Sequence, residues 1–215
     1  MIRGVIFDLD GVLASTDELH YRAWKKLAQE LGINNFTRAD NELQRGVSRM
    51  DSLEIVLNKG TKEYSKEEKE ELADRKNNYY KEFLADLDAS AVLPGAVDTL
   101  KALRDKNILV GVGSASKNTP MILEKTGLLS YIDKISCGLD ITRSKPDPEV
   151  FLIAAKKLAL APAECLVVED SAAGIEAAAA AGMKSLAVGP YYRELGGIYA
   201  ETGLDALLDW DEMLS

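Results

Sequence analysis

The stretch Ile2-Arg3-Gly4-Val5-Ile6-Phe7-Asp8-Leu9-Asp10-Gly11 decides the fold. Residues 2–9 form an apolar, β-rich run without the polar alternation of a half-buried strand, which reads as a strand covered on both faces. Strands of that kind belong to parallel sheets with helices packed on each side. The run ends in two acids, Asp8 and Asp10, followed by Gly11. In an open parallel sheet ligands bind beyond the carboxyl ends of the strands, so acids at this point are candidates for chemistry.

Downstream, the chain supplies the rest of such a sheet. Residues 108–113, 132–137, 165–168 and 185–188 read as further strands, the first ending at Ser114 and the third at Glu169-Asp170. Helices alternate with them: 96–104, then 119–126 closed by Gly127. A third is opened by Asp147, with Pro148 at its first position, and an Ala-rich helix over 172–181 has Ser171 as cap and Gly182 as stop. Alternating strands and helices imply right-handed crossovers and an α/β fold, a Rossmann-like doubly wound parallel sheet.

One block breaks the alternation. Leu19, Ala23, Trp24, Leu27, Ala28 and Leu31 fall at helical spacing before Gly32, and residues 51–57 read as another short helix. Ser65 and Glu68 form a capping box for a helix running to about residue 84. With no strand in it, this block reads as an inserted α-helical cap. The expected division is a core of residues 1–15 and 93–215 and a cap of residues 16–92.

Composition narrows the partners. The chain has 215 residues, 26 Lys+Arg against 35 Asp+Glu, and a net charge of −9. That balance argues against nucleic acid and anionic membranes, whose binding needs massed cations. Hydrophobic residues at 47% and charged residues at 28% are those of a globular chain. No apolar stretch is long enough to span a bilayer, and the N-terminal run is too short and acidic at its end for a signal peptide. Cys137 and Cys165 read as small buried hydrophobes in a reducing compartment. The expectation is a cytoplasmic monomer acting on a small molecule.

Four strand ends carry polar residues: Asp8-x-Asp10, Ser114, the Ser144-Lys145-Pro146 loop and Glu169-Asp170. Singly, each reads as an ordinary turn, cap or surface residue. Doubly wound topology brings all four together, and carboxylates so gathered repel one another unless a cation joins them. An oxygen-only donor set suits Mg²⁺. A carboxylate beside Mg²⁺ and a lysine can attack phosphorus to give an aspartyl-phosphate. Lys145 would offset charge on the transferring group, and Asp10 could serve as general acid and base.

Phe7-Asp8-Leu9-Asp10-Gly11-Val12-Leu13 resembles the first motif of the haloacid dehalogenase superfamily of phosphotransferases. Ser114, Lys145 and Glu169-Asp170 resemble its other three motifs, in order. The resemblance implies that Asp8 is the nucleophile and Asp10 the acid/base. It also implies that Mg²⁺ is held by the Asp8 carboxylate, the Asp10 main-chain carbonyl and Asp170, with Glu169 supporting. Ser114 and Lys145 would hold the phosphoryl oxygens. An acid at position 10 favours phosphoryl transfer to or from oxygen over dehalogenation.

Further segments resemble the β-phosphoglucomutase branch of that superfamily, nearly end to end. They are His20-Tyr21-Arg22-Ala23-Trp24, Gly46-Val47-Ser48-Arg49-x-Asp51-Ser52-Leu53, Arg75-Lys76-Asn77, Ser114-Ala115-Ser116-Lys117-Asn118, Ser144-Lys145-Pro146-Asp147-Pro148 and Glu169-Asp170-Ser171-x-Ala173-Gly174-Ile175. The branch interconverts β-glucose 1-phosphate and glucose 6-phosphate through a 1,6-bisphosphate that turns around between two transfers. One phosphate sits at Mg²⁺, and the other needs its own cationic site. Arg49 offers a bidentate fork, and Ser116, Lys117 and Asn118 lie at an expected helix start. Gly46 and Val47 would give backbone groups to the sugar, with Ser52 and Lys76 completing the substrate set. His20 is either a satisfied structural group or, with Lys76, a link between cap closure and Asp10. Trp24 reads as packing between cap helices or as a stacking edge for sugar. Ala14-Ser15 departs from the family's more frequent Thr-Asp, and residues 191–215 carry no functional expectation. Two other functions stay open: a sugar-phosphate phosphatase of the same fold, and a non-catalytic protein that only holds Mg²⁺.

Overall fold

The computed structural model describes residues 1–44 and 47–215. After β1 (Gly4–Phe7) the chain enters a helical insert made of α1 (Asp17–Glu30), α2 (Arg38–Glu42), α3 (Arg49–Leu57) and α4 (Lys66–Phe83). These helices have an apolar cluster of their own around Trp24, Leu27, Phe36, Leu53, Val56 and Leu72. Ser65 opens α4 as its sequence requires: Glu68 N donates to Ser65 Oγ at 3.2 Å and Ser65 N to Glu68 Oε2 at 2.7 Å. The two chain passages that carry the insert pair with each other. Ser15 N donates to Ala91 O at 2.8 Å, Leu93 N to Leu13 O at 3.0 Å, and Ala14 bridges both Asp10 and Val92.

The chain then lays down α5 (Ala96–Asp105), β2 (Leu109–Gly113), α6 (Thr119–Lys125), β3 (Lys134–Ser136), α7 (Glu149–Lys157), β4 (Cys165–Glu169), α8 (Ala172–Ala180), β5 (Lys184–Ala187), β6 (Tyr199–Ala200) and α9 (Trp210–Leu214). Among the described residues six strands form one sheet in the order β3-β2-β1-β4-β5-β6, with every pairing parallel. This is the doubly wound order expected, with β1 central. Val5 and Phe7 join an apolar cluster with Leu100, Leu103, Ile122 and Trp210, while Ile6 joins one with Val150, Phe151, Ala154 and Ala177. Successive side chains of β1 therefore point into two cores, and this double burial accounts for its unbroken apolar sequence.

Register sets the functional edge. Phe7 lies opposite Val112 on one side and Val168 on the other. Asp8, Ser114 and Glu169 therefore emerge at the same end of the sheet, and Asp8 N donates to Val168 O at 2.9 Å.

Three short elements escaped the periodicity reading. Helix α2 is only 5 residues long, and Thr37 opens it with Asp40 in place of Glu or Gln, donating through both N and Oγ1 to Asp40 Oδ2 at 2.7 Å. Strand β6 has 2 residues. Helix α9 buries Trp210, Met213 and Leu214 against the main core, and Ile2 N donates to Leu214 O at 2.9 Å. The segment after Tyr191 thus closes the β5 edge and anchors the first strand. Helix α7 begins one residue later than expected, yet Asp147 caps it: Glu149 N donates to Asp147 Oδ1 at 3.0 Å. Both cysteines are buried and free, and among the described residues no helix is long and apolar enough to cross a membrane.

Candidate active site

The sheet edge and the insert enclose a cleft of about 930 Å³, lined by residues from both, including Asp8, Asp10, Arg49, Lys76, Ser114, Asn118, Lys145 and Asp170. That volume lies in the range of small-molecule sites.

At its floor, Lys145 Nζ donates to Asp8 Oδ1 and to Glu169 Oε1, each at 2.5 Å. All three side chains are buried. Burial pushes the Asp8 carboxyl up to about 7; Lys145 opposes the rise, and Glu169 and Asp10 add to it. Burial works against the Lys145 charge, but Asp8 and Glu169 outweigh it and raise the ammonium above its ordinary value. Lys145 therefore stays protonated beside the candidate nucleophile. The second oxygen of Glu169 accepts from Ser171 N at 2.7 Å and Ser171 Oγ at 2.9 Å. Ser171 in turn caps α8 by accepting from Gly174 N at 3.1 Å. A Cβ at Gly174 would lie 1.9 Å from the Glu169 carboxylate, so this turn requires glycine. Grouped with the metal ligands from sequence, Glu169 has both oxygens engaged by Lys145 and Ser171, and it braces the group through Lys145.

Asp10 lies in the loop beyond β1, and its side chain turns toward the insert. Thr16 Oγ1 donates to Asp10 Oδ1, and Tyr80 Oη donates to Thr16 Oγ1 at 3.0 Å. Burial raises the Asp10 carboxyl to about 6; the Thr16 hydrogen bond opposes this and Asp17 adds to it. A carboxyl poised there can both give and take a proton near neutrality. His20 stacks on Tyr80 with ring centroids 4.0 Å apart, and Lys76 Nζ lies 2.8 Å from His20 Nδ1. Burial holds His20 well below its ordinary value, with Lys76 and Arg49 adding to the effect. Lys76 is likewise held well down, by burial and then by Arg49, with Asp10 opposing. These two residues of the insert thus form a pair beside Asp10.

The remaining substrate candidates line the same cleft. Arg49 heads α3 and donates through Nη2 to Asn77 Oδ1 at 3.0 Å, with Nη1 3.7 Å from Asp74. Asn118 donates through Nδ2 to the same Asn77 oxygen at 3.0 Å. Ser114, Ser116 and Asn118 form a tight run, with Ser116 N on Ser114 Oγ and Asn118 N on Ser116 Oγ, both at 3.2 Å. Ser116 and Lys117 lie in the turn before α6, with Asn118 as its cap residue. Lys117 is exposed, while Val47 and Ser52 lie along the cleft wall. Trp24 is buried in the insert core with Lys76 Nζ 4.5 Å from its ring centroid, so packing is its main part. Gly46 lies outside the described residues.

A profile of haloacid dehalogenase-like hydrolases matches residues 2–182. The chain belongs to the haloacid dehalogenase-like hydrolase family. Within it, the chain is 40% identical to the β-phosphoglucomutase of Bacillus subtilis over 91% of its own length and 87% of that protein's. It is 31% identical to the fructose-1-phosphate phosphatase of Escherichia coli over 86% of its length and 95% of that protein's. A crystal structure of β-phosphoglucomutase from Clostridium difficile superposes with a TM-score of 0.92 at 38% identity, over 99% of this chain and 96% of that one.

The acidic edge of this haloacid dehalogenase-like hydrolase fits a magnesium ion. Gly11 has φ +83°, and a Cβ there would lie 2.0 Å from Asp170 Oδ2, so the Asp170 carboxylate rests directly on the Asp8–Gly11 loop. Among the described residues no three His, Cys, Asp or Glu side chains form a group able to enclose a metal. Two carboxylates plus main-chain, water and substrate oxygens is the donor set Mg²⁺ accepts.

Sequence reading missed Thr16, Asn77 and Tyr80 as site residues. Thr16 directly precedes α1, and its side chain makes no cap hydrogen bond; the hydroxyl goes to Asp10 instead. That diversion is invisible in one dimension.

Proposed function

We propose that this chain is a Mg²⁺-dependent β-phosphoglucomutase, interconverting β-D-glucose 1-phosphate and D-glucose 6-phosphate. The observation that carries this reading is that cationic and hydrogen-bonding side chains stand both at the floor of the cleft and on its wall, which we read as two phosphate sites. Lys145 contacts Asp8 at the floor, Arg49 and Asn118 meet at Asn77 on the wall, and Ser114, Ser116 and Lys117 line the same cleft. A hexose bisphosphate needs both, whereas a phosphatase needs only the first. The greater identity to a β-phosphoglucomutase than to a sugar-phosphate phosphatase supports the same choice.

In the mechanism, an Asp8 oxygen attacks phosphorus and the P–O bond to the sugar breaks, leaving an aspartyl-phosphate. Asp10 gives its proton to the departing sugar oxygen, and later takes one from the hydroxyl that receives the phosphoryl group. Lys145 and Ser114 hold the phosphoryl oxygens through the transfer. Magnesium, held by Asp8, Asp170 and the Asp10 main-chain carbonyl, would supply charge neutralisation at the phosphoryl group. The bisphosphate then turns so that its other phosphate meets Asp8, while Arg49 and its neighbours take the end just released.

Residues 16–92 act in this scheme as a cap on a core of 1–15 and 93–215. Cap closure brings Thr16, His20 and Lys76 to Asp10 and keeps water from the aspartyl-phosphate. Thr16 and Tyr80 make Asp10's alignment depend on the cap, so a bound sugar is processed faster than water.

The two readings differ in how turnover starts. A mutase needs its Asp8 phosphorylated first, so β-glucose 1-phosphate alone is expected to react with a lag that a trace of 1,6-bisphosphate abolishes. A phosphatase would release inorganic phosphate at once with no response to bisphosphate, and stopped-flow traces with and without primer decide between them.

A further inference from the structure

We propose that Asn77 is a positioning residue for the second phosphate site, its amide oxygen tying Arg49 of the insert to Asn118 of the core so that both address one anion. The inference rests on the reading of Arg49 and Asn118 as that site.

Asn77 lies on α4 and lines the cleft. Its Oδ1 accepts from Arg49 Nη2 and Asn118 Nδ2, each at 3.0 Å. Chemistry fixes both carboxamide orientations. A guanidinium has only donors, so the Asn77 atom facing it is oxygen, and the Asn118 atom facing that oxygen is nitrogen. Arg49 begins α3, and Asn118 precedes α6 across the cleft. Among the described residues, the shared Asn77 oxygen is what joins these two donors.

The acceptor's neutrality matters as much as its place. Burial lowers the Arg49 guanidinium from its ordinary value, and Asp74 opposes this only partly. Asp74 is largely solvent-exposed and 3.7 Å away, a weak partner. The amide oxygen therefore orients the fork without cancelling its charge, which stays available to a phosphate dianion. A carboxylate at this position would keep the geometry but take the charge.

The effect falls on binding rather than on transfer, because the reacting phosphoryl group sits at Asp8. With Mg²⁺, β-glucose 1-phosphate and priming bisphosphate, Asn77→Ala is expected to raise KM about tenfold, the scale of one hydrogen bond to a charged group, with kcat within about twofold. Asn77→Asp is expected to raise KM further. In an Arg49→Ala/Asn118→Ala background, adding Asn77→Ala is expected to change KM by less than about twofold, since its partners are already gone. An equal effect in both backgrounds, a fall in kcat at unchanged KM, or full rescue by Asn77→Asp would overturn the inference. If Arg49→Ala/Asn118→Ala itself leaves KM unchanged, the second-phosphate reading fails, and the inference falls with it. If that double variant raises KM while Asn77→Ala does not, only the inference falls.

Discussion

Asp8→Asn is expected to abolish turnover, by at least about 10⁴-fold, and to leave the protein folded and unphosphorylated. The amide nitrogen and oxygen fit the space of the carboxylate but cannot attack phosphorus. Lys145 keeps its 2.5 Å contact to Glu169, so the ammonium is not stranded by the change. The variant also removes a carboxyl whose ionisation burial already opposes, with the group pushed up to about 7. Its melting temperature should accordingly stay within a few degrees of the parent's. Intact-mass analysis after incubation with glucose 1,6-bisphosphate checks the chemical half of this expectation: the parent gains a phosphoryl group and the variant gains none. Undiminished function in Asp8→Asn would instead support a protein that uses its acids only to hold Mg²⁺.

Lys145→Ala is expected to damage both stability and rate. In the parent one ammonium separates Asp8 from Glu169, touching each at 2.5 Å in a buried setting. Removing it leaves two buried carboxylates facing each other, a change that costs about 3–5 kcal/mol when a buried ion pair loses one partner. At about 2–4 °C per kcal/mol for a chain of this size, calorimetry should record a fall of roughly 6–20 °C. The loss has a definite pH dependence. Lys145 holds the Asp8 carboxyl down, so without the ammonium this carboxyl, already pushed up to about 7, titrates higher still when folded than when unfolded, and the folded state binds the extra proton. The deficit therefore grows as pH rises through the ordinary carboxylate range toward the folded value, and disappears below that range. The same ammonium neutralises charge on the transferring phosphoryl group, and kcat should fall about 10²–10³-fold. A variant with parental stability and a changed KM alone would show that Lys145 only recruits substrate.

The core motifs were legible because each is tied to the end of a strand. Asp8, Ser114 and Glu169 follow apolar runs whose parallel register delivers them to one edge, and the Ser171 cap marks the start of the helix behind Glu169. Local sequence suffices for such residues. The cap side of the site is different. Tyr80 reaches Thr16 across 64 positions, Asn118 reaches Asn77 across 41, and Arg49 reaches Asn77 across 28. The first and third depend on how the helices of the insert pack together and the second on how the insert meets the sheet edge, neither of which periodicity encodes. Asn77 stands in a resembling segment, and its place on a charged helix gives no sign that it joins two elements. Trp24 was read with two alternatives, and burial among Leu27, Leu53 and Leu72 favours packing. The negative charge of the chain also took on a local meaning. Its acids gather at one edge around Lys145, while Arg49 and Lys117 stand along the same cleft.

A mutase of this kind transfers the phosphoryl group between two sugar oxygens in preference to water. One measurement addresses it directly: glucose 6-phosphate and inorganic phosphate quantified together during turnover of β-glucose 1-phosphate with Mg²⁺ and a trace of 1,6-bisphosphate. Glucose 6-phosphate is expected in large excess from the first turnovers. Inorganic phosphate appearing faster than glucose 6-phosphate would contradict it and identify a phosphatase.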